Sequence, residues 1–301
     1  MGHSFKPQPG QNPEKRPAPS RRAPSSPLRW LWVVVIVLIL AVGGFQLYRI
    51  SQQPVTFLYR DMTLEALDGV AVNHLDTENF SISPSGRVTY AQNGQEARTG
   101  IDVSFYQADI DWQAVAGDGI DFAFLRLGYR GYTEGGLNVD TCYEANLRGA
   151  REAGLEVGVY FFSQALTPEE AREEAEFVLA TLGDSPLEYP VVFDWEFITH
   201  DSEARTHGMD GETLTQCAAA FCQVIEEGGY TPAVYFNRDM GYLYYDLSQL
   251  DQYPFWLADY DSVPDFYYRF HLWQYSHTGT VAGIEGNVDL NLDFSPIYGP
   301  S

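Results

Sequence analysis

Two carboxylates close the apolar run Tyr189-Pro190-Val191-Val192-Phe193-Asp194-Trp195-Glu196-Phe197, with Asp194 and Glu196 two residues apart. Side chains alternate faces along an extended strand, so the two acids point the same way with Cα atoms ~6.5–7 Å apart. Val191-Val192-Phe193 has the character of a strand buried on both faces, which puts the acids at the mouth of a core. Two carboxyls held on one face, one protonated and one charged, are the minimum equipment for breaking a glycosidic bond. The plainer alternative is that one acid caps a following helix and the other is solvated.

The elements that must position these acids become regular from residue 100. Strand-like segments fall at Gly100–Val103, Phe122–Leu127, Val157–Phe162, Pro190–Glu196, Ala233–Phe236, Phe255–Ala258, His271–Tyr275 and Val288–Asn291. Helical segments fall near 110–116, 140–153, 168–182, 211–227 and, more weakly, 239–250. The third opens with Thr167-Pro168-Glu169-Glu170, an N-cap, a proline at the first helical position and acids against the helix dipole. Strands alternating with helices imply parallel β/α units, and eight strands close a barrel whose reactive groups sit at the strands' C-terminal ends. The last three strands are too closely spaced for helices between them. The expected fold class is α/β: a TIM-like barrel with about five β/α units plus three further strands, preceded by one transmembrane helix.

On that plan the strand ends present Asp102, then Tyr129 and Arg130, then Phe162 with Ser163 and Gln164. Asp194 and Glu196 follow, then Tyr235 and Asn237, Asp259 and Tyr260, Gln274 and Tyr275, and Asp289 and Asn291. Acids mixed with flat aromatic faces suit a sugar cleft. Asp109, Asp111, Asp118, Asp140 and Asp261 read as ordinary solvated loop acids. Asp102, Asp194, Glu196 and Asp289 arise from three separate strands in apolar surroundings and read as a site. Around them Tyr129, Arg130, Phe162, Tyr235, Trp256, Asp259, Tyr260, Trp273 and Gln274 are candidate substrate-binding residues, though each aromatic is as readily a barrel packing residue. The six histidines show no metal-ligand spacing, which disfavours a metal-dependent deacetylase, and no metal or cofactor is expected.

Charge divides the chain sharply. Residues 1–29 carry Lys6, Lys15, Arg16, Arg21, Arg22 and Arg29 against Glu14, a net of +5, so the remainder carries −28 of the total −23. An acidic body argues against a nucleic-acid partner. Between tail and body runs Trp30–Tyr48, 19 residues with one polar member, Gln46. That is close to the ~20 residues that cross a bilayer as a helix. Flanking aromatics and the cationic tail put the N-terminus in the cytoplasm and the body outside; a signal peptide cleaved near Ala41-Val42-Gly43 is the rival. The expected organisation is a disordered basic tail 1–29, a membrane helix 30–48, a stalk or accessory module 49–99 with a hairpin near 80–90, a barrel 100–295 and a tail 296–301. The barrel itself is expected to be monomeric. Cys142, Cys217 and Cys222 fall in helical segments and read as small buried hydrophobes rather than a disulfide framework.

Gly100-Ile101-Asp102-Val103-Ser104, Arg126-Leu127-Gly128-Tyr129, Gly158-Val159-Tyr160-Phe161-Phe162, Asp194-Trp195-Glu196, Gly229-Tyr230-Thr231-Pro232, Trp256-Leu257-Ala258, Trp273-Gln274-Tyr275-Ser276 and Val288-Asp289-Leu290-Asn291 stand in this order. Together, over about residues 99–294, they resemble glycoside hydrolase family 25, the lysozymes of the N-acetylmuramidase type. The resemblance implies a barrel of five β/α units and three further strands. It implies peptidoglycan as substrate, cut at the β-1,4 bond between N-acetylmuramic acid and N-acetylglucosamine. It makes Glu196 the catalytic acid, Asp194 its charged partner, and Asp102 and Asp289 flanking acids that hold hydroxyls and raise the pKa of Glu196. The attack, by the substrate's acetamido oxygen or by water, stays open on spacing alone. A chitinase-like hydrolase and a non-catalytic wall-binding module are the alternatives. The first lacks its longer acid ladder at Tyr189, Pro190 and Val192, and the second has no need of Glu196.

Overall fold

The computed structural model describes residues 1–2, 27–51 and 54–299. The expectation for the basic tail therefore falls mostly on residues outside this description. Two compact units emerge, Met1–Ala66 and Leu67–Ser301. The first contains helix α1, Pro27–Ser51, and a hairpin in which Thr56–Tyr59 pairs antiparallel with Met62–Glu65. Within α1 the 18 residues Arg29–Gln46 are long and apolar enough to cross a membrane. Their tryptophan, valine, leucine and isoleucine side chains are exposed with no apolar partner face. The segment expected as a stalk or module, 49–99, divides at Ala66, and its remainder belongs with the barrel.

The second unit is built on eight strands: β1 Arg98–Val103, β2 Phe122–Arg130, β3 Glu156–Ser163, β4 Val191–Trp195, β5 Pro232–Asn237, β6 Phe255–Ala258, β7 Leu272–Gly279 and β8 Val288–Asp293. Neighbouring strands pair in the order β1-β8-β7-β6-β5-β4-β3-β2, and β1 pairs with β2 to close the ring. The connecting helices are α2 Trp112–Gly117, α3 Tyr143–Glu152, α4 Pro168–Leu182, α5 Gly211–Glu227 and α6 Arg238–Leu243. Side chains at their starts explain where they begin: Asp111, Thr167, Asp210 and Asn237 accept from the backbone N–H of Ala114, Glu170, Thr213 and Met240. Five β/α units and three further strands result, as the spacing predicts.

One strand departs from the expectation. β8 runs antiparallel to both β7 and β1. Only residues 280–287 join β7 to β8, too few for a crossover helix, so the chain turns back on itself. Asp289 therefore reaches the barrel mouth from the beginning of its strand, opposite Asp102, and not from a C-terminal strand end.

The interior follows the period of two. Phe122, Phe124, Tyr160, Val192, Ala233, Tyr235, Trp256, Ala258 and Leu272 fill it. Alternate residues turn outward; Phe193 meets Phe221 of α5 at 5.2 Å between ring centroids. Gly100 makes room for this filling, since a Cβ there would lie 2.2 Å from the Phe122 ring. Outside the ring, Phe80–Ile82 pairs antiparallel with Val88–Gln92, forming the expected hairpin. Its Phe80 stands edge-on to Trp273 at 5.5 Å and to Phe294 at 6.1 Å. Cys217 and Cys222 are buried on α5, and Cys142 is half-buried at the start of α3.

Candidate active site

Because Val192 faces inward, Asp194 stacks above it inside the barrel, and Glu196 continues that column beyond the end of β4. β1 delivers Asp102 and β8 delivers Asp289 opposite it. All four acids line one cavity of about 250 Å³ at the mouth, together with Phe162, Tyr235, Trp256, Tyr260 and Gln274. A larger cavity of about 600 Å³ lies at the other end of the barrel, against Tyr189, Asp293 and Arg269, and none of the expected site residues line it.

The acids are not equivalent. Asp102 Oδ2 accepts from Gln274 Nε2 at 2.9 Å and Asn291 Nδ2 at 2.8 Å. Tyr235 and Tyr260 donate to Gln274 Oε1 at 2.9 and 2.8 Å, which fixes the amide so that its nitrogen faces Asp102. Trp256 Nε1 fixes Asn291 in the same way through Asn291 Oδ1 at 2.9 Å. Burial pushes the Asp102 carboxyl up, but donors from Asn291, Gln274 and Asp289 oppose it, so Asp102 is the acid best equipped to stay charged. Asp289 is pushed to about 9 by burial and by the Asp102 charge, and hydrogen-bonds to Asp102 as the protonated partner. Glu196 rises to about 7 through burial and the same Asp102 charge. Asp194 is raised well above its ordinary range by burial, then by Glu196 and Asp102. Its Oδ1 is buried without a hydrogen-bond partner among the described residues. A charged Asp194 beside a protonated Glu196 is thus not what burial alone favours; both acids hold protons readily.

Four expected contacts do not line the cavity. Arg130 is buried behind the barrel, where Nε meets Glu174 Oε1 and Nη2 meets Glu173 Oε2, both at 2.7 Å. Trp273 faces outward, fully buried, and its Nε1 donates to Asp259 O at 2.7 Å. Asp259 accepts from the backbone of Asp261 and Asp265 and lies 3.5 Å from Arg238, so it shapes a loop. Tyr129 flanks the site one step removed, with the Arg126 guanidinium 5.3 Å from its ring centre. Period-two parity explains Trp273, whose neighbour Gln274 faces inward. For Arg130 the alternation is broken by a register shift between Arg126 and Gly128, which turns Arg130 away from the face that Phe122, Phe124 and Arg126 share.

The same parity supplies residues that sequence reasoning passed over. Arg126 and Tyr160 share the inward column with Phe124 and Phe162, and both line the cavity, as do Ser104, Tyr106 and Gln107. Asn291, a strand-end residue by its sequence position, holds Asp102. Arg126 is paired with Asp140 at 2.8 Å and lies over the Phe105 and Tyr106 rings at 4.9 and 5.5 Å. Asp140, expected as a solvated loop acid, is 2 % exposed for that reason. Phe105 and Tyr106 themselves are exposed beside the mouth, with ring centroids 4.1 Å apart.

Comparison with known proteins identifies the family. Residues 101–284 match the family model described as glycosyl hydrolases family 25. The uncharacterized protein YegX of Escherichia coli (strain K12) is 32% identical over 210 residues, covering 64% of this chain and 68% of that protein. The autolytic lysozyme of Clostridium acetobutylicum is 28% identical over 195 residues, covering 64% of this chain and 54% of that protein. Among solved structures, a family 25 glycosyl hydrolase from Bacillus anthracis superposes with a TM-score of 0.57 at 22% identity, covering 71% of this chain and 95% of that one. The modular autolysin LytC from Streptococcus pneumoniae, in complex with a synthetic peptidoglycan ligand, gives 0.56 at 22% identity; 71% of this chain matches 56% of that one. The chain thus spans little more than half of those two longer relatives. A family match over most of the barrel, with acids converging at its mouth, makes the conclusion direct: the chain belongs to glycosyl hydrolases family 25, as a glycoside hydrolase of lysozyme type.

Proposed function

We propose that the chain hydrolyses peptidoglycan at the β-1,4 bond between N-acetylmuramic acid and N-acetylglucosamine, with Glu196 as the acid. The observation that carries this reading is the position of Glu196 beside a fixed anion. Asp102, held by Gln274 and Asn291, helps keep the Glu196 proton in place up to about pH 7. Glu196 donates that proton to the leaving glycosidic oxygen and later removes one from the incoming water. The orphan Asp194 Oδ1 suits an acetamido N–H of the substrate, a donor that favours the carboxylate form of Asp194. Oriented in this way, the acetamido oxygen attacks the anomeric carbon, a substrate-assisted route. Trp256, Tyr235 and Tyr260 supply the aromatic wall, and exposed Phe105 and Tyr106 extend it along the glycan.

Purified residues 50–301 are expected to release reducing ends from peptidoglycan, and Glu196→Gln to abolish that release while keeping the fold. Undiminished activity in Glu196→Gln would remove Glu196 from the role. Solubilised wall without new reducing ends would identify an amidase or peptidase instead. A folded wild type that binds wall and never cleaves it would favour the binding-module reading.

The same proposal places α1 in the cell membrane through residues 30–48, with the barrel outside acting on wall glycan. Support comes from the strongly apolar residues 30–45 and the basic residues before them. Fractionation tests it: full-length protein in the membrane fraction is expected, and a shortened, freely secreted protein would mean signal cleavage.

A further inference from the structure

Asp194 lies inside the sheet ladder, paired with Phe162 and Tyr235, but the ladder ends at Trp195 opposite Ser163. Glu196 therefore sits one residue past the last strand pairing. Its main chain is held instead by the turn that follows β3. Gln164 Nε2 donates to Glu196 O at 3.0 Å and to Ser163 O at 2.8 Å. These two carbonyls also fix the amide orientation, since a flip would set oxygen against both. On the opposite face, Trp195 Nε1 donates to Ala165 O at 3.0 Å. Both sides of the Trp195–Glu196 link are thus tied to one three-residue turn.

That turn is anchored from behind. Glu174 of α4 accepts Ser163 Oγ at 2.5 Å on Oε2, and accepts Arg130 Nε at 2.7 Å and the Gln164 backbone N–H at 3.4 Å on Oε1. Ser163, Gln164, Glu174 and Trp195 are wholly buried, and Arg130 nearly so. Both donors of the Gln164 amide and both oxygens of Glu174 are engaged in this way, and only Gln164 Oε1 is left without a partner among the described residues; such a connected buried network is rigid. None of Glu174, Arg130 and Gln164 lines the catalytic cavity.

We propose that Gln164, locked by the Arg130–Glu174 pair, is a positioning residue that sets the Glu196 carboxyl relative to Asp102 and Asp194. The inference rests on the hydrolase reading above and adds a device that reaches the site from behind the barrel. Gln164→Met keeps the side chain's length and removes its donors. Misplacement of a reacting group by about 1 Å costs on the order of 10²-fold, so kcat should fall by roughly that factor with KM within about twofold. Its alkaline limb in kcat against pH should also move, because the separation of Glu196 from Asp102 changes. Trp195→Phe, which removes one N–H and keeps the ring, should show a smaller loss of the same kind. Gln164→Met combined with Glu174→Gln should cost little more than the larger single change, because the residues act as one unit.

Peptidoglycan turnover by the full chain, with circular dichroism as the check on folding, decides the matter. An active wild type with unaltered kcat and pH profile in a folded Gln164→Met overturns the inference and leaves the hydrolase reading standing. If Gln164→Met does not fold, unaltered kcat and pH profile in Trp195→Phe overturn it equally. A wild type that yields no reducing ends overturns the hydrolase reading, and the inference with it.

Discussion

Two groups of acids in this molecule meet opposite fates. At the barrel mouth Asp102, Asp194, Glu196 and Asp289 share a cavity lined by one arginine, Arg126, which is itself paired with Asp140. Behind the barrel, Glu170, Glu173 and Glu174 of α4 meet two arginines, Arg130 and Arg205, at 2.6 to 2.7 Å. Burial acts on both groups. On α4 the Leu166 N–H and Arg205 outweigh it for Glu170, whose carboxyl is held below its ordinary range. The wholly buried Glu174 still rises to about 7, although Ser163 and Arg130 oppose the shift. At the mouth no ion pair to these four acids is found among the described residues; the Arg126 charge opposes the shift of Asp194 without reversing it, and the cluster keeps protons that carboxylates ordinarily lose. The ion-paired acids, Glu174 included, hold a structure in place, whereas the acids at the mouth raise one another's hold on protons, and proton donation is what a glycosidase needs.

The contrast breaks most visibly in activity. Glu196→Gln should lower turnover by about 10²–10⁴-fold, the range that a general acid contributes, measured as reducing ends released. Next in size is the structural group. Arg130→Met should destabilise the barrel by about 3–5 kcal/mol in urea unfolding, because Glu174 is left buried without its cation. Smaller, and opposite in sign, is the effect of removing a crowded acid. Glu196 carries its proton up to about pH 7 when folded but releases it near 4.5 when unfolded, so the folded state binds the extra proton between those values. That contribution is fully present below about pH 4.5 and is lost as pH rises through about 7. Glu196→Gln should therefore be more stable than wild type at pH 8, by about 1–3 kcal/mol, with little difference at pH 4. Asp102→Asn sharpens the same point kinetically: with that charge gone, the alkaline limb of any residual activity should move to lower pH. Least affected should be the half-exposed pair Arg98–Glu156 at the far end of the barrel, where Glu156→Gln is expected to cost under about 1 kcal/mol.

Much of this was legible along the chain, and the reason is periodicity. The β/α alternation predicted α4 and α5 at their observed bounds, because Thr167-Pro168 and Asp210 mark the starts chemically. The inward column Val192, Asp194, Glu196 follows from the alternation of one strand. What failed were assignments that turn on facing, on a strand irregularity or on strand direction. Trp273 stands beside Gln274 but faces the other way, and Arg130 is turned toward α4 by the register shift between Arg126 and Gly128, an irregularity that strand alternation does not reveal. The reversal of β8 left no local mark beyond a short connection, since strand direction is a property of pairing.

Residue types and spacing by themselves determined the barrel's elements, the apolar first helix, and which four acids would meet, because strand period and helix caps are local. Only the tertiary structure decided how those acids differ. A protonation preference depends on who stands opposite: Gln274 and Asn291 at Asp102, Asp102 at Glu196, and, among the described residues, no donor at Asp194 Oδ1. Those partners come from strands up to 189 residues apart in sequence, and it is their convergence that makes four similar carboxyls unequal.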